Sequence, residues 1–102
     1  MSGQALSLPQ GPVEVSVTEY DIPPGAVLPT HRHMYPRYGY VLSGILEVTN
    51  EETGKTVRFG AGEFAVESIN QWHTGTNPGT QPLKLLVVDQ TPQGVANIEV
   101  RK

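Results

Sequence analysis

Apolar and polar positions along this chain change over in short stretches, and no stretch keeps a 3.6-residue apolar rhythm for three turns. Val13-Glu14-Val15-Ser16-Val17-Thr18 alternates with period two, the pattern of a strand with one buried face. Two further apolar stretches, Tyr40-Val41-Leu42 and Ile45-Leu46-Glu47-Val48, are separated by Ser43-Gly44, which reads as a tight turn or bend. Glu51-Glu52-Thr53-Gly54-Lys55 reads as a polar hairpin tip that leads into the short strand Thr56-Val57-Arg58-Phe59. Strands over 63–67, 72–77, 83–89 and 95–100 complete the set, with breaks at Pro78-Gly79 and Pro92-Gln93-Gly94. Turn signals at roughly 8–12-residue spacing predict an all-β domain, either a sandwich, a barrel or a jelly roll. The pattern alone does not choose among these.

Composition narrows the picture. Eleven glycines and nine prolines in 102 residues exclude long helices and fit many short elements. The length suits one domain, read as an N-terminal arm over 1–12 and a barrel over 13–102. With no cysteine there is no disulfide, thiolate ligand or cysteine nucleophile. A net charge of −3 without a basic cluster argues against nucleic acid as a partner. The longest apolar runs, such as Leu85 to Val88, are too short to cross a bilayer, so no membrane partner is expected. Met1-Ser2-Gly3-Gln4 has neither a basic nor an apolar leader region, which reads as a soluble, cytoplasmic chain by default and leaves a trimmed signal peptide open.

The chemistry concentrates in the three histidines. His31 and His33 are two residues apart, so on an extended backbone both leave from one face. Two adjacent imidazoles need partners for four ring nitrogens, and a divalent cation is a natural shared partner for such a pair. The alternative is a solvated pair on a loop after Pro29-Thr30. The surroundings weigh on this choice. Gly25-x5-His31-x-His33-x3-Arg37-x6-Gly44 is followed, 17 residues on, by Gly62-x5-Ser68-x-Asn70-x2-His73-x3-Asn77. These two segments resemble the paired motifs of the cupin superfamily and cover about half the chain. Arg37 stands where that family usually has Glu, and Ser68 and Asn70 where it usually has Pro and Gly.

The resemblance implies a single-domain jelly-roll β-barrel, or double-stranded β-helix, in which His31, His33 and His73 hold one divalent transition metal: Fe, Mn, Ni, Cu or Zn. It also implies a small-molecule substrate or ligand. Among the activities of small cupins, a dioxygenase-like reaction on a small anionic or diketone-like compound is expected; a non-catalytic binding or sensing protein and a metal-dependent lyase or isomerase are the alternatives. Arg37 either stands beside the ion as uncompensated charge and grips an anionic substrate, or turns away to pair with Glu47 or Glu67. In the first case, replacing it with Glu should tighten metal binding. Tyr35 and Tyr38 are further candidates for stabilising developing charge, although strand alternation lets only one of Arg37 and Tyr38 look inward. Glu67 and Gln71 are weaker candidates for a fourth ligand. Trp72 should point away from the metal, whereas Phe59, Phe64 and Tyr40 should line the barrel. The apolar edges at 13–17 and 95–100 make a homodimer the expected assembly.

Overall fold

The computed structural model describes residues 4–101, so residues 1–3 of the expected N-terminal arm and residue 102 lie outside the described residues. The described residues form strands, turns and loops without a helix. One sheet orders β1 (Val13–Ile22), β8 (Leu83–Pro92), β3 (Arg37–Ser43) and β6 (Phe64–Val66) side by side. The other orders β5 (Thr56–Gly60), β4 (Ile45–Asn50), β7 (His73–Thr76), β2 (His31–Arg32) and β9 (Glu99–Val100). All pairings between these strands are antiparallel. The two sheets face each other as an all-β double-stranded β-helix.

Alternation determines what fills the space between them. On β8 the buried positions are Leu83, Leu85, Val87, Asp89 and Thr91, so the inward face changes from apolar to polar along one strand. The apolar end joins Ile22, Val41, Leu46, Phe59 and Ala65 in the core. The polar end, at Asp89, lies toward the histidines. Gly44 reverses the chain between β3 and β4 at a φ of 87°, and a Cβ there would stand 2.8 Å from the Pro82 carbonyl. Only glycine combines that backbone angle with so close an approach.

Several strand readings need correction. β1 runs four residues beyond Thr18, to Ile22, through a continuous ladder with β8. The strand expected over 95–100 shrinks to Glu99–Val100, because Asn97 is drawn into side-chain bonds with another loop. Of the aromatics expected to line the interior, only Phe59 is buried. Phe64 and Tyr40 are paired neighbours on the outer face, 51% and 37% exposed.

Candidate metal centre

His31 opens β2 and sits opposite His73, the first residue of β7, in the antiparallel register. His33 follows β2 and bridges to Ile69. Extended backbone around His31 and His33 sends both rings to one side, and all three rings are buried. Each ring is fixed by its own backbone carbonyl. Nδ1 of His31 lies 2.6 Å from the Pro29 oxygen, that of His33 2.7 Å from the Asn97 oxygen, and that of His73 2.8 Å from the Gln71 oxygen. A carbonyl only accepts, so each Nδ1 carries the proton and each Nε2 offers a lone pair. One donor atom from each ring lies within 4.8 Å of the others. The Nε2 atoms of His33 and His73 are 3.2 Å apart. Two lone pairs that close, buried, demand a proton or a cation between them.

A carboxylate joins them. Glu67, the residue after β6, places Oε1 3.4 Å from Nε2 of both His33 and His73. With metal–ligand bonds of about 2.1 Å, donors around a tetrahedral ion stand about 3.4 Å apart. The separations among Glu67, His33 and His73 therefore fit a donor set around one small divalent ion. Glu67 comes from the sheet opposite to the one that carries His31 and His73. The family's usual carboxylate position holds Arg37, and the carboxylate arrives from a different strand. Sequence reading ranked Glu67 low because its lateral neighbours become visible only when β6 is laid beside β3, where the Glu67 amide donates to the Arg37 carbonyl.

The electrostatics follow from this packing. Burial pushes the His31 imidazole down to about 4, against the Pro29 carbonyl, with His73 and His33 adding to the shift. Burial alone would raise the Glu67 carboxyl, but its contacts with His33 and His73 hold it well below the carboxylate range. His73 is likewise disfavoured as a cation by burial, but the Glu67 contact outweighs this and raises it.

Arg37 points inward, as one of the two readings required, but its partner is neither Glu47 nor Glu67. Its Nε donates to Asp89 Oδ1 at 2.7 Å and its Nη2 to Oδ2 at 3.3 Å. The expectation of uncompensated positive charge is thereby overturned: the cation is matched by Asp89, directly opposite it across the β3–β8 ladder. Tyr38 lies on the other face of β3, where its hydroxyl donates to Gln90 and its ring stacks on Phe64. Tyr35 is tied through its backbone to Asn97, its N–H donating to Oδ1 and its carbonyl accepting from Nδ2. Gln71 contributes its backbone carbonyl to His73, and its side chain accepts from Asn50. Trp72 turns away from the histidines, with the guanidinium groups of Arg32 and Arg101 on its ring at 4.4 and 4.9 Å. Asn97 went unnoticed in the sequence. It also donates to Asp89, so one side chain links the loop that holds His33 to the Arg37 pair.

Two cavities open on the centre, and Val48, Glu67 and His73 belong to the walls of both. One, of about 170 Å³, is lined mainly by apolar residues such as Leu28, Leu46, Leu85 and Val87, together with His31 and Arg37. The other, of about 160 Å³, carries Asn50, Thr53, Lys55 and Gln71.

A β-roll with three inward imidazoles that could hold a metal ion, and a carboxylate beside them, defines a class of small barrels. Within that class the chain belongs to the cupin family: the cupin-domain family model matches residues 18–89. Curated protein sequences give no match. Among solved structures it is similar to the polyketide cyclase RemF from Streptomyces resistomycificus, with 24% identity, a TM-score of 0.69, and coverage of 81% of this chain and 58% of that one. It is also similar to the oxalate decarboxylase of Lactobacillus farciminis, solved as a formate complex, with 27% identity, a TM-score of 0.71 and coverage of 84% and 26%. A third likeness is to the DMSP lyase DddQ from Ruegeria pomeroyi DSS-3, with 21% identity, a TM-score of 0.71 and coverage of 84% and 42%. The chain thus spans less than two-thirds of each of these proteins. No helix among the described residues is long and apolar enough to cross a membrane.

Proposed function

We propose that this cupin is a metal-dependent enzyme that moves protons on a small, largely apolar carbonyl compound, in the manner of cyclases, lyases, isomerases and decarboxylases. The observation that carries this reading is the Glu67 carboxylate, 3.4 Å from two imidazole donors and on the wall of the apolar chamber. The names of the structural relatives, a cyclase, a decarboxylase and a lyase, support it. A divalent ion held by His31, His33, His73 and Glu67 would supply Lewis acidity to a substrate oxygen.

The chain's own residues do the rest. Leu28, Leu46, Leu85 and Val87 receive the apolar body of the substrate and exclude water. Asp89 holds the guanidinium of Arg37 in the chamber wall, leaving Nη1 without a hydrogen bond among the described residues and free to meet a substrate oxygen. Every histidine Nδ1 is committed to a carbonyl, and Oε1 of Glu67 faces the imidazoles. The second oxygen, Oε2, is therefore the atom of this carboxylate left to take a substrate proton, and it does so only as the contacts that hold Glu67 low are loosened in the reaction. Because Asp89 offsets Arg37 and Glu67 offsets part of the ion's charge, the chamber favours neutral or singly charged compounds such as diketones over multiply charged anions.

Dioxygenase chemistry is the second reading, favoured by the three imidazole donors beside a chamber wide enough for a small substrate. Untagged protein purified without chelator, assayed for metal and then for turnover of small diketones and keto acids with and without oxygen, separates the two. Turnover without oxygen, reduced about 100-fold or more in Glu67→Gln, is expected. Strict dependence on oxygen uptake would establish the second reading, and tight retention of a diketone without any turnover would make this a binding protein.

A further inference from the structure

The polar chamber beside the centre has no part in the chemistry above, and its wall holds a cation that no carboxylate balances. The chain has four arginines, and each is matched: Arg32 by Glu99, Arg37 by Asp89, Arg58 by Glu47 and Arg101 by Glu51. The two described lysines have no such partner among the described residues. Lys84 lies on the outward face of β8, whereas Lys55 lines the cavity. The acids nearest Lys55 along the chain are engaged elsewhere: Glu51 with Thr30 and Arg101, and Glu52 with the Trp72 amide. Glu67 is the one carboxylate among the lining residues, and its Oε1 faces His33 and His73.

The hairpin tip that carries Lys55 is built around Asn50. Its Oδ1 accepts from the amides of Glu52 and Thr53, its backbone pairs with Gly54 and Lys55, and its Nδ2 donates to Gln71 Oε1. Gln71 has thereby committed its acceptor and keeps both Nε2 hydrogens. Thr53 Oγ1 accepts from the Lys55 amide, so its hydroxyl hydrogen remains to donate. Ser68 adds a hydroxyl without a hydrogen bond among the described residues. What this chamber has left to offer is donors around one ammonium, beside the apolar walls of Val57, Phe59 and Ala65. Such a set suits a small oxyanion.

We propose that the polar chamber is a carboxylate subsite, with Lys55 Nζ as the ion partner and Gln71 Nε2 and the Thr53 and Ser68 hydroxyls as donors. The subsite rests on the proposed function and narrows it: the substrate is a short keto acid with its apolar body among Leu28, Leu46, Leu85 and Val87. Its carboxylate lies past Glu67 and His73, which stand in the walls of both chambers. Arg37 is the weaker partner for that carboxylate, because Asp89 already matches its charge.

Isotope-labelled full chain loaded with zinc can be titrated with sodium acetate at constant ionic strength while amide shifts are followed. Saturating shifts at Thr53, Lys55, Ser68 and Gln71 are expected, with a Kd on the order of 1–10 mM. Lys55→Met should weaken acetate binding about tenfold with zinc uptake unchanged, Lys55→Arg should keep most of it, and Lys84→Met should keep all of it. Shifts that do not saturate, or equal affinity in wild type and Lys55→Met, overturn the subsite. Shifts confined to the surroundings of His31 and His33 mark acetate as a ligand of zinc alone and overturn it too. In turnover, Lys55→Met should raise KM for a short keto acid about tenfold and leave that for a neutral diketone unchanged. Acetate binding at Lys55 with an unchanged KM makes the bound carboxylate a separate effector and refutes the substrate assignment. A wild type that turns over neither compound removes the proposed function, and the acetate titration still decides the subsite.

Discussion

At the scale of single residues, Arg37 and His31 each carry a consequence that can be measured. Arg37 and Asp89 are 12% and 10% exposed and share two hydrogen bonds, so reversing the charge at 37 sets two carboxylates against each other in a nearly closed space. Arg37→Glu should therefore lower stability by about 3 kcal/mol and leave metal affinity unchanged or weaker. Denaturant unfolding and metal titration check this, and a tighter metal site in the variant would restore the ligand set read from the motif alone. His31 acts through pH. Its imidazole is held at about 4 against an ordinary 6.5, so between those values the unfolded chain takes up a proton that the folded chain refuses. Stability of the metal-free protein falls as pH drops through that window. Glu67, held low, adds to the loss once pH falls below the usual carboxylate range. His73 works the other way: raised by its carboxylate neighbour, it contributes stability that disappears as pH rises past its folded value. Metal-free protein should show a melting temperature that drops from pH 6.5 toward pH 4, with a shallower drop in His31→Gln. An equal drop in the variant would assign the effect to other groups.

At the scale of elements, the two motifs carried the histidines and the turns, and they did so for a physical reason. His31 and His33 need only local extended backbone to share a face, and the left-handed turns at Gly25, Gly44 and Gly62 are local as well. Asn70, at a position where the family usually has glycine, has a φ of 56°, a conformation asparagine tolerates better than most residues. What could not be read from the sequence is lateral. Asp89 as the partner of Arg37 depends on the β3–β8 register, and the approach of Glu67 depends on β6 pairing with β3. Period-two patterning fixes which residues share a face of one strand, but not which strand lies beside it. Asn97 is the extreme case. It sits on a loop without periodicity, yet it donates to the Tyr35 and Pro36 carbonyls and to Asp89, while its own carbonyl accepts from His33. Asn97→Ala should cost about 1–3 kcal/mol and weaken metal binding about tenfold by letting the His33 ring turn. Asn97→Asp keeps the acceptor but not the donors, and should restore little of either. An alanine variant with native metal affinity would show that the backbone carbonyl alone orients the ring.

At the scale of the whole molecule, the centre is a tie between the two sheets. His31 and His73 belong to the five-stranded sheet, and Glu67 continues the β6 edge of the four-stranded one. In the metal-free chain, the buried Nε2 atoms of His33 and His73 stand 3.2 Å apart, a pair that is satisfied only by a proton or a cation between them. A divalent ion bound only by the native state then stabilises it by mass action, about 2.7 kcal/mol at a hundredfold excess over Kd. For a domain of this length that corresponds to a rise in melting temperature of roughly 10–20 °C. Metal-loaded protein should melt that much above protein stripped with chelator. The increment should shrink in Glu67→Gln, where the imidazoles remain but the bond to the opposite sheet is lost. It should vanish in His31→Ala/His73→Ala, whose barrel still melts cooperatively because the core of Val41, Leu46, Leu83, Leu85 and Val87 does not depend on the rings. If stripped and loaded wild type melt together while metal is bound stoichiometrically, the ion binds native and unfolded chain alike, and the histidines do not form a site that folding creates.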